Sequence, residues 1–307
     1  FTIIAHTNPN LVHRFEIEDN GLVWPFFEKL KDYTSEVDTR EVALYVITYN
    51  SPKQFKSLCL SFEKYDQNFL SKTKKYLLNN SLDRSTDAEY AEICAEYDFE
   101  EIKKDNLGIC GGRQFIAEHF AETEYKYCIF YEDDMFFYDG SDTTCKNGFT
   151  RQIPNLFDKV VEIIKKENYD YVKFNFTEFF GDNSTQWAWY NVPQDVREQL
   201  WPDNAKLPVH GQSKNAPKAK YTAIKSHLGL AYTEGEVYYC NWPQIMSRDG
   251  NKKIFLDVKW QYPYEQTWMS YVHQEILKNN ITAGLLLATP TEHNRFDHYG
   301  PGERREH

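Results

Sequence analysis

The sequence predicts an α/β protein with a mostly parallel sheet and helices on both faces. Two observations carry this. From residue 41 onward, short apolar runs of strand length alternate with segments of helical period, and the connections between them are short. The strand runs also end in polar clusters rather than in hairpin turns, as strands of a parallel sheet do when a crossover helix follows. Apolar residues make up 41% of the 307-residue chain and aromatics 16%, enough to build a core and to exclude global disorder. The balance of 35 Lys and Arg against 46 Asp and Glu gives a net charge of −11, which argues against a nucleic-acid partner because phosphates need a basic face. No apolar run approaches the roughly 18–20 residues of a membrane span.

The elements follow in order. Residues 1–40 lack a repeat pattern and are read as an N-terminal extension; the start at Phe1, with no visible signal peptide, suggests a domain of a longer chain with further domains. Residues 42–48 are a near-continuous apolar run, a buried strand, closed by Tyr49-Asn50-Ser51-Pro52. Pro52 suits the first position of a helix, whose apolar face is Phe55, Leu58, Cys59 and Phe62. A second strand over 75–79 ends in Asn79-Asn80-Ser81, and a helix follows over 86–97. A third strand over 99–103, a helix over 110–120 after a glycine cluster, and a fourth strand over 125–131 ending in Glu132-Asp133-Asp134 complete the first half, residues 41–140.

The second half, 141–290, opens with a helix over 151–167 and a strand over 169–176. It carries most of the tryptophans, of which Trp187, Trp189, Trp242 and Trp260, with Tyr190, offer either stacking faces to a ligand or ordinary core. Residues 204–225 are rich in Lys and Pro and are expected to form a long exposed loop. A hairpin around Glu234-Gly235, a helix over 264–277 and a strand over 281–288 follow, then a polar tail over 291–307. The six cysteines, Cys59, Cys94, Cys110, Cys128, Cys145 and Cys240, form no C-x-x-C pair, which suggests a reduced, cytoplasmic protein. In that compartment the sequons at Asn175, Asn183 and Asn280 carry little weight.

Ligands of open parallel sheets bind outside the carboxyl ends of the strands. Those ends deliver Thr48-Tyr49-Asn50, then Asn79, Asn80 and Asp83, then Asp105-Asn106-Leu107-Gly108 with Gly111-Gly112-Arg113, then Glu132-Asp133-Asp134. No glycine lies between Gly21 and Gly108, which excludes a dinucleotide fingerprint or a phosphate-binding P-loop after the first strand. Three adjacent carboxylates repel one another unless a cation or solvent relieves them, and a divalent ion bridging a diphosphate needs only one or two of them. The competing reading is a solvated turn. The glycines allow close backbone approach to a ligand, and Arg113 offers a bidentate donor to phosphate or carboxylate.

Taken in this order and spacing, Val46-Ile47-Thr48-Tyr49-Asn50, Asn79-Asn80-Ser81, Asn106-Leu107-Gly108 with Gly112-Arg113, and Glu132-Asp133-Asp134 resemble the family-two type of GT-A fold glycosyltransferase over about residues 41–140. The resemblance implies a nucleoside-diphosphate sugar donor bound by Thr48, Tyr49, Asn50, Asn79, Asn80, Asp83, Asn106, Gly108, Gly112, Arg113 and Asp133 in residues 41–140, with the acceptor bound by residues 141–290. It implies Mn2+ or Mg2+ on Asp134, with Glu132 and a tail histidine, His293 or His298, in the metal shell. Tyr264-Glu265-Gln266-Thr267-Trp268 resembles the helix start that supplies the base, making Glu265 the expected base and Asp257 the reserve. The family pattern has acids after the second strand where this chain has Asn79 and Asn80, so Asp83 is the candidate substitute. The expected activity is inverting transfer to a glycan or lipid-linked glycan hydroxyl in surface polysaccharide synthesis, in the cytoplasm or at the membrane periphery, with the Lys-rich loop closing over the diphosphate. A sugar nucleotidyltransferase and a non-catalytic glycan- or nucleotide-binding module are the alternatives.

Overall fold

The computed structural model describes residues 2–8, 11–16, 41–137, 152–175, 177–178, 181–182, 221–237, 239–258, 265–288 and 290–293. In chain order the strands are β1 (Thr2–Asn8), β2 (Leu11–Glu16), β3 (Val42–Thr48), β4 (Lys74–Asn79), β5 (Phe99–Lys103), β6 (Tyr127–Glu132), β7 (Met135–Phe137), β8 (Tyr171–Lys173), β9 (Thr177–Glu178), β10 (Gly181–Asp182), β11 (Tyr221–His227), β12 (Leu230–Gly235), β13 (Gln244–Ser247), β14 (Ala283–Leu286) and β15 (Thr291–His293). The helices are α1 (Pro52–Lys72), α2 (Asp87–Tyr97), α3 (Gly108–Glu122), α4 (Leu156–Glu167), α5 (Arg248–Asn251), continued by a π-turn over Lys252–Leu256, and α6 (Glu265–Leu277). Within 1–40, where no element was expected, β1 and β2 pair as an antiparallel hairpin.

The central sheet has nine strands in the order β11-β12-β14-β8-β13-β6-β3-β4-β5. β3, β4, β5 and β6 are mutually parallel, β8 and β14 run with them, and only β12 and β13 are reversed, so seven of the nine strands point one way. This is the mostly parallel α/β sheet that the sequence predicts.

The period-two alternation of β3 divides the core. Val42, Leu44 and Val46 pack with Phe55, Leu58 and Phe62 of α1, Tyr90 of α2 and Val160 of α4 on one face. Ala43, Tyr45 and Ile47 pack with Ile116 and Phe120 of α3 on the other. Farther along that second face, Trp268, Met269 and Val272 of α6 cover Tyr171, Met246 and Leu285. Burying both faces of β3 explains why its seven residues are uniformly apolar apart from the final Thr48. Trp242 is half-buried and packs against two of these clusters, so it belongs with the core.

Two local expectations are corrected. The hairpin turn falls at Leu228-Gly229, both left-handed with φ of 53° and 72°, not at Glu234-Gly235, and β11 takes over the end of the region expected to be a loop. Two consecutive positive φ values are what a tight two-residue hairpin demands. The sequon residue Asn175 is wholly buried and clamps β15, its side chain donating to the Thr291 carbonyl at 2.6 Å and accepting from the Thr291 hydroxyl at 3.1 Å, so no glycan fits there. Among the described residues no helix is long and apolar enough to cross a membrane. Cys59, Cys94 and Cys128 are free thiols.

Candidate active site

The chain runs from β3 outward through β4 to β5, then returns to the other side of β3 as β6. The direction of winding therefore switches between β3 and β6, and a crevice opens outside the carboxyl ends of strands at such a point. Register aligns the ends: Glu132 is level with Ile47, Thr48 with Asn79, and Asn79 with Lys103. The four polar clusters thus lie along one rim.

A directed chain of hydrogen bonds braces this rim. The Thr48 hydroxyl donates to Asp133 Oδ2 at 2.6 Å, so it accepts from the Tyr90 hydroxyl at 2.8 Å, which in turn accepts from the Ser51 amide at 2.7 Å. Gln54 Nε2 donates to Asp133 Oδ1 at 2.8 Å. Burial pushes the Tyr90 phenol up to about 12, so it remains a donor at neutral pH. Asp133 is only 7% exposed and both its oxygens are engaged by β3 and α1. In this arrangement it braces the end of β6 to the end of β3. Gln54 and Tyr90 had no signal in the sequence beyond sitting on apolar helix faces.

The asparagines divide. Asn79 is fully buried, donates to Glu101 Oε1 at 2.8 Å and accepts from the Ser81 amide at 3.1 Å. Asn80 accepts from the Leu107 amide at 2.7 Å and donates to the Gly108 carbonyl at 3.3 Å, stapling the loop before α3 to the end of β4. Both are structural in this geometry, because their amides are spent inside the protein. Asn50 is exposed, with the left-handed φ of 51° that asparagine tolerates. Its amide donates to Ser81 Oγ at 2.8 Å and its Oδ1 accepts from the Asp83 amide at 3.4 Å. Asn50, Ser81 and the exposed Asp83 therefore form one lip, with the half-buried Tyr49 beside them. The hydroxyl and then the amide of Ser85 hold Asp83 below the usual carboxylate range.

On the opposite lip, Asn106 Oδ1 accepts from the Gly108 amide at 3.1 Å, and Gly108 takes φ of 67° with open space where a side chain would stand. The N-terminal end of α3 follows directly, and the dipole of a helix N-terminus suits an anion. Gly112 is not a ligand-approach glycine: a Cβ there would stand 2.4 Å from Ile47 Cδ1, so its role is close packing of α3 on β3. Arg113 is corrected too. It is 3% exposed, bonded to Tyr239 at 3.0 Å and stacked on Phe130. Arg113, Ile116, Ala117 and Phe120 share the three-and-four spacing of one helix face, a periodicity visible in the sequence.

Glu132 and Asp134 are half-buried at the turn between β6 and β7. β7 pairs antiparallel with β15, and the register sets His293 opposite Met135, next to Asp134. His298 lies outside the described residues, as do Trp187, Trp189, Tyr190, Trp260 and the stretch 204–220; for Glu265 and His293 the backbone alone is described. α6 precedes β14 by a short connection and so runs antiparallel to it, which brings its start back to the rim side. Trp268 in its first turn lies 5.8 Å from the Arg113 guanidinium, near the start of α3. Asp257 is exposed and ion-paired with Lys252 at 2.9 Å.

Two rim carboxylates match the donor set of a hard divalent ion that keeps its remaining positions for phosphate oxygens, and no cage of three or more ligands forms among the described residues. No known family profile and no curated protein matches the chain. Among solved structures it is similar to S. aureus TarS residues 1–349, at 12% identity over 82% of this chain and 60% of that one, with a TM-score of 0.46. The same fragment in complex with UDP gives 12%, 82% and 60%, with a TM-score of 0.47. Another TarS structure aligns over 46% of this chain and 22% of that one at 16% identity, with a TM-score of 0.33. The chain thus spans about 60% of the length of TarS 1–349.

Proposed function

We propose that this chain is a glycosyltransferase that moves a sugar from a nucleoside diphosphate to a hydroxyl of a glycan or lipid-linked glycan, with inversion. The observation that supports it best is the switch point between β3 and β6, with the braced Thr48 ending β3 and the acidic run Glu132-Asp133-Asp134 at the end of β6. In this reading the lip of Asn50, Ser81 and Asp83 takes the nucleoside, and the first amides of α3 face the diphosphate. Asp134, with Glu132 and His293, would hold Mn2+ or Mg2+, which when bound offsets charge on the diphosphate. Glu265, at the rim-side start of α6, takes the proton of the acceptor hydroxyl as that oxygen bonds to the anomeric carbon. The bond from that carbon to the diphosphate oxygen breaks, and its electrons leave with the nucleoside diphosphate. An exclusion of water by residues 204–225 would protect the donor from hydrolysis.

Calorimetry with UDP, GDP, CDP and ADP, each with and without Mn2+, tests the reading. One of them should bind about tenfold tighter with metal, a difference of roughly 1.4 kcal/mol. Asp134→Ala should lose that gain with an unchanged circular dichroism spectrum. Metal-independent binding of every nucleotide, or release of pyrophosphate from the sugar donor, overturns it.

A further inference from the structure

Arg113 is an interior cation held without a carboxylate partner among the described residues. Its guanidinium lies 3.5 Å from the centre of the Phe130 ring, 4.9 Å from Phe255 and 5.8 Å from Trp268, and Nη2 donates to the Tyr239 hydroxyl at 3.0 Å. Aromatic faces and one phenol oxygen replace an ion pair, which a guanidinium accepts better than an ammonium does. Gln244 Nε2 shares the same phenol oxygen at 3.0 Å and reaches the Cys240 carbonyl at 3.5 Å. The two head groups are therefore neighbours, and both line one cavity of about 10 Å³ together with Cys128, Met246, Asn251 and Phe255. That volume is room for a single water. Two buried polar atoms of these lining residues make no hydrogen bond, the donor Arg113 Nε and the acceptor Gln244 Oε1.

We propose that this cavity binds one internal water, which accepts from Arg113 Nε and donates to Gln244 Oε1. A buried donor and a buried acceptor left open together ask for a species that is both, because each unmet group would carry its full desolvation penalty. A halide satisfies the guanidinium but meets the lone pairs of Gln244 Oε1. The water completes a polar pin: α3 supplies Arg113, β13 supplies Gln244, and the rings of Phe255 and Trp268 carry the contact to the π-turn and to the first turn of α6. The pin joins the helix that starts at the rim to the half of the sheet that lies beyond β6, whatever reaction the rim performs.

A crystal structure of the wild-type chain at a resolution that shows ordered water decides the site. One peak within hydrogen-bond distance of both atoms is expected; an empty cavity, or an anomalous peak there in crystals soaked with bromide, overturns the water. Oxygen-17 relaxation dispersion gives a solution measurement: Gln244→Met should lose one long-lived water relative to wild type, and an unchanged number overturns the site. Arg113→Lys keeps the charge but lacks Nε. Hydrogen exchange along α6 beyond its first turn should then quicken about tenfold while β3 and β4 stay protected. Unchanged exchange in α6, or equal loss of protection throughout, overturns the pin.

Discussion

The rim and the far edge of the sheet both bury polar groups, but they do so differently. At the rim the bonds run one way, from the Ser51 amide through Tyr90 and Thr48 to Asp133, and they fix where strand ends and their loops stand. At the far edge, Lys225 of β11 sits between Glu167 at 2.7 Å and Glu234 at 2.8 Å, while Tyr232 donates to Glu167 at 2.7 Å and Tyr169 to Glu234 at 2.5 Å. There the charges answer one another and pin a hairpin. The difference suggests how to separate groups that shape a site from groups that hold an edge: the first act through geometry at the strand ends, the second through charge and therefore through pH.

The largest effect expected from this contrast lies in the mixed half. In Gly250→Ala the new Cβ would stand 2.1 Å from the Asp170 carbonyl oxygen, a backbone atom that cannot step aside. A loss of about 3 kcal/mol in urea unfolding is expected; a change below about 1 kcal/mol would mean that Gly250 does not lie against the Asp170 backbone. Asp133→Ala comes next. It strands the buried donors of Thr48 and Gln54, and should cost about 2–3 kcal/mol in stability. It should weaken nucleotide binding as well, by moving the rim, whereas loss of stability with intact binding would separate the brace from the site. Gly112→Ala is smaller, about 1 kcal/mol, because the atom it meets is the flexible end of Ile47; comparing it with Gly250→Ala by the same unfolding assay sharpens the contrast between a side-chain and a backbone neighbour.

The smallest effect is one of pH. Burial pushes Glu167 up, but the hydrogen bonds from Lys225 and Tyr232 outweigh it and hold this carboxyl below its ordinary value of 4.5. A depressed folded-state value stabilises the protein above the unfolded value, and that contribution is lost as pH falls through the folded one. Lys225→Met should therefore lower stability slightly at pH 7 and flatten its decline below about pH 5. Urea midpoints across pH 3–7 would show this, and an unchanged acid limb would remove Glu167 from the account.

Much of the parallel half was legible because each element announces itself locally. Residues 42–48 could only be a doubly buried strand, and Pro52 opens a helix where expected. The hairpin turn escaped because Leu228 gives no sign of positive φ, while Glu234-Gly235 looked like a turn and instead ends β12. Arg113 adjoins the rim in sequence, but its helical phase turns it toward the core.

The sequence by itself determined the alternation of strands and helices, the acidic turn after β6 and the helix start at Glu265, since these rest on patterns a few residues long. The tertiary structure alone decided which polar side chains are spent indoors and which remain at the rim. Asn79, Asn80 and Asp133 carry the same functional groups as ligand-binding residues, and only neighbours delivered by other strands and helices engage them internally. The same holds for His293, which reaches the acidic turn through pairing of β15 with β7, strands far apart in the chain.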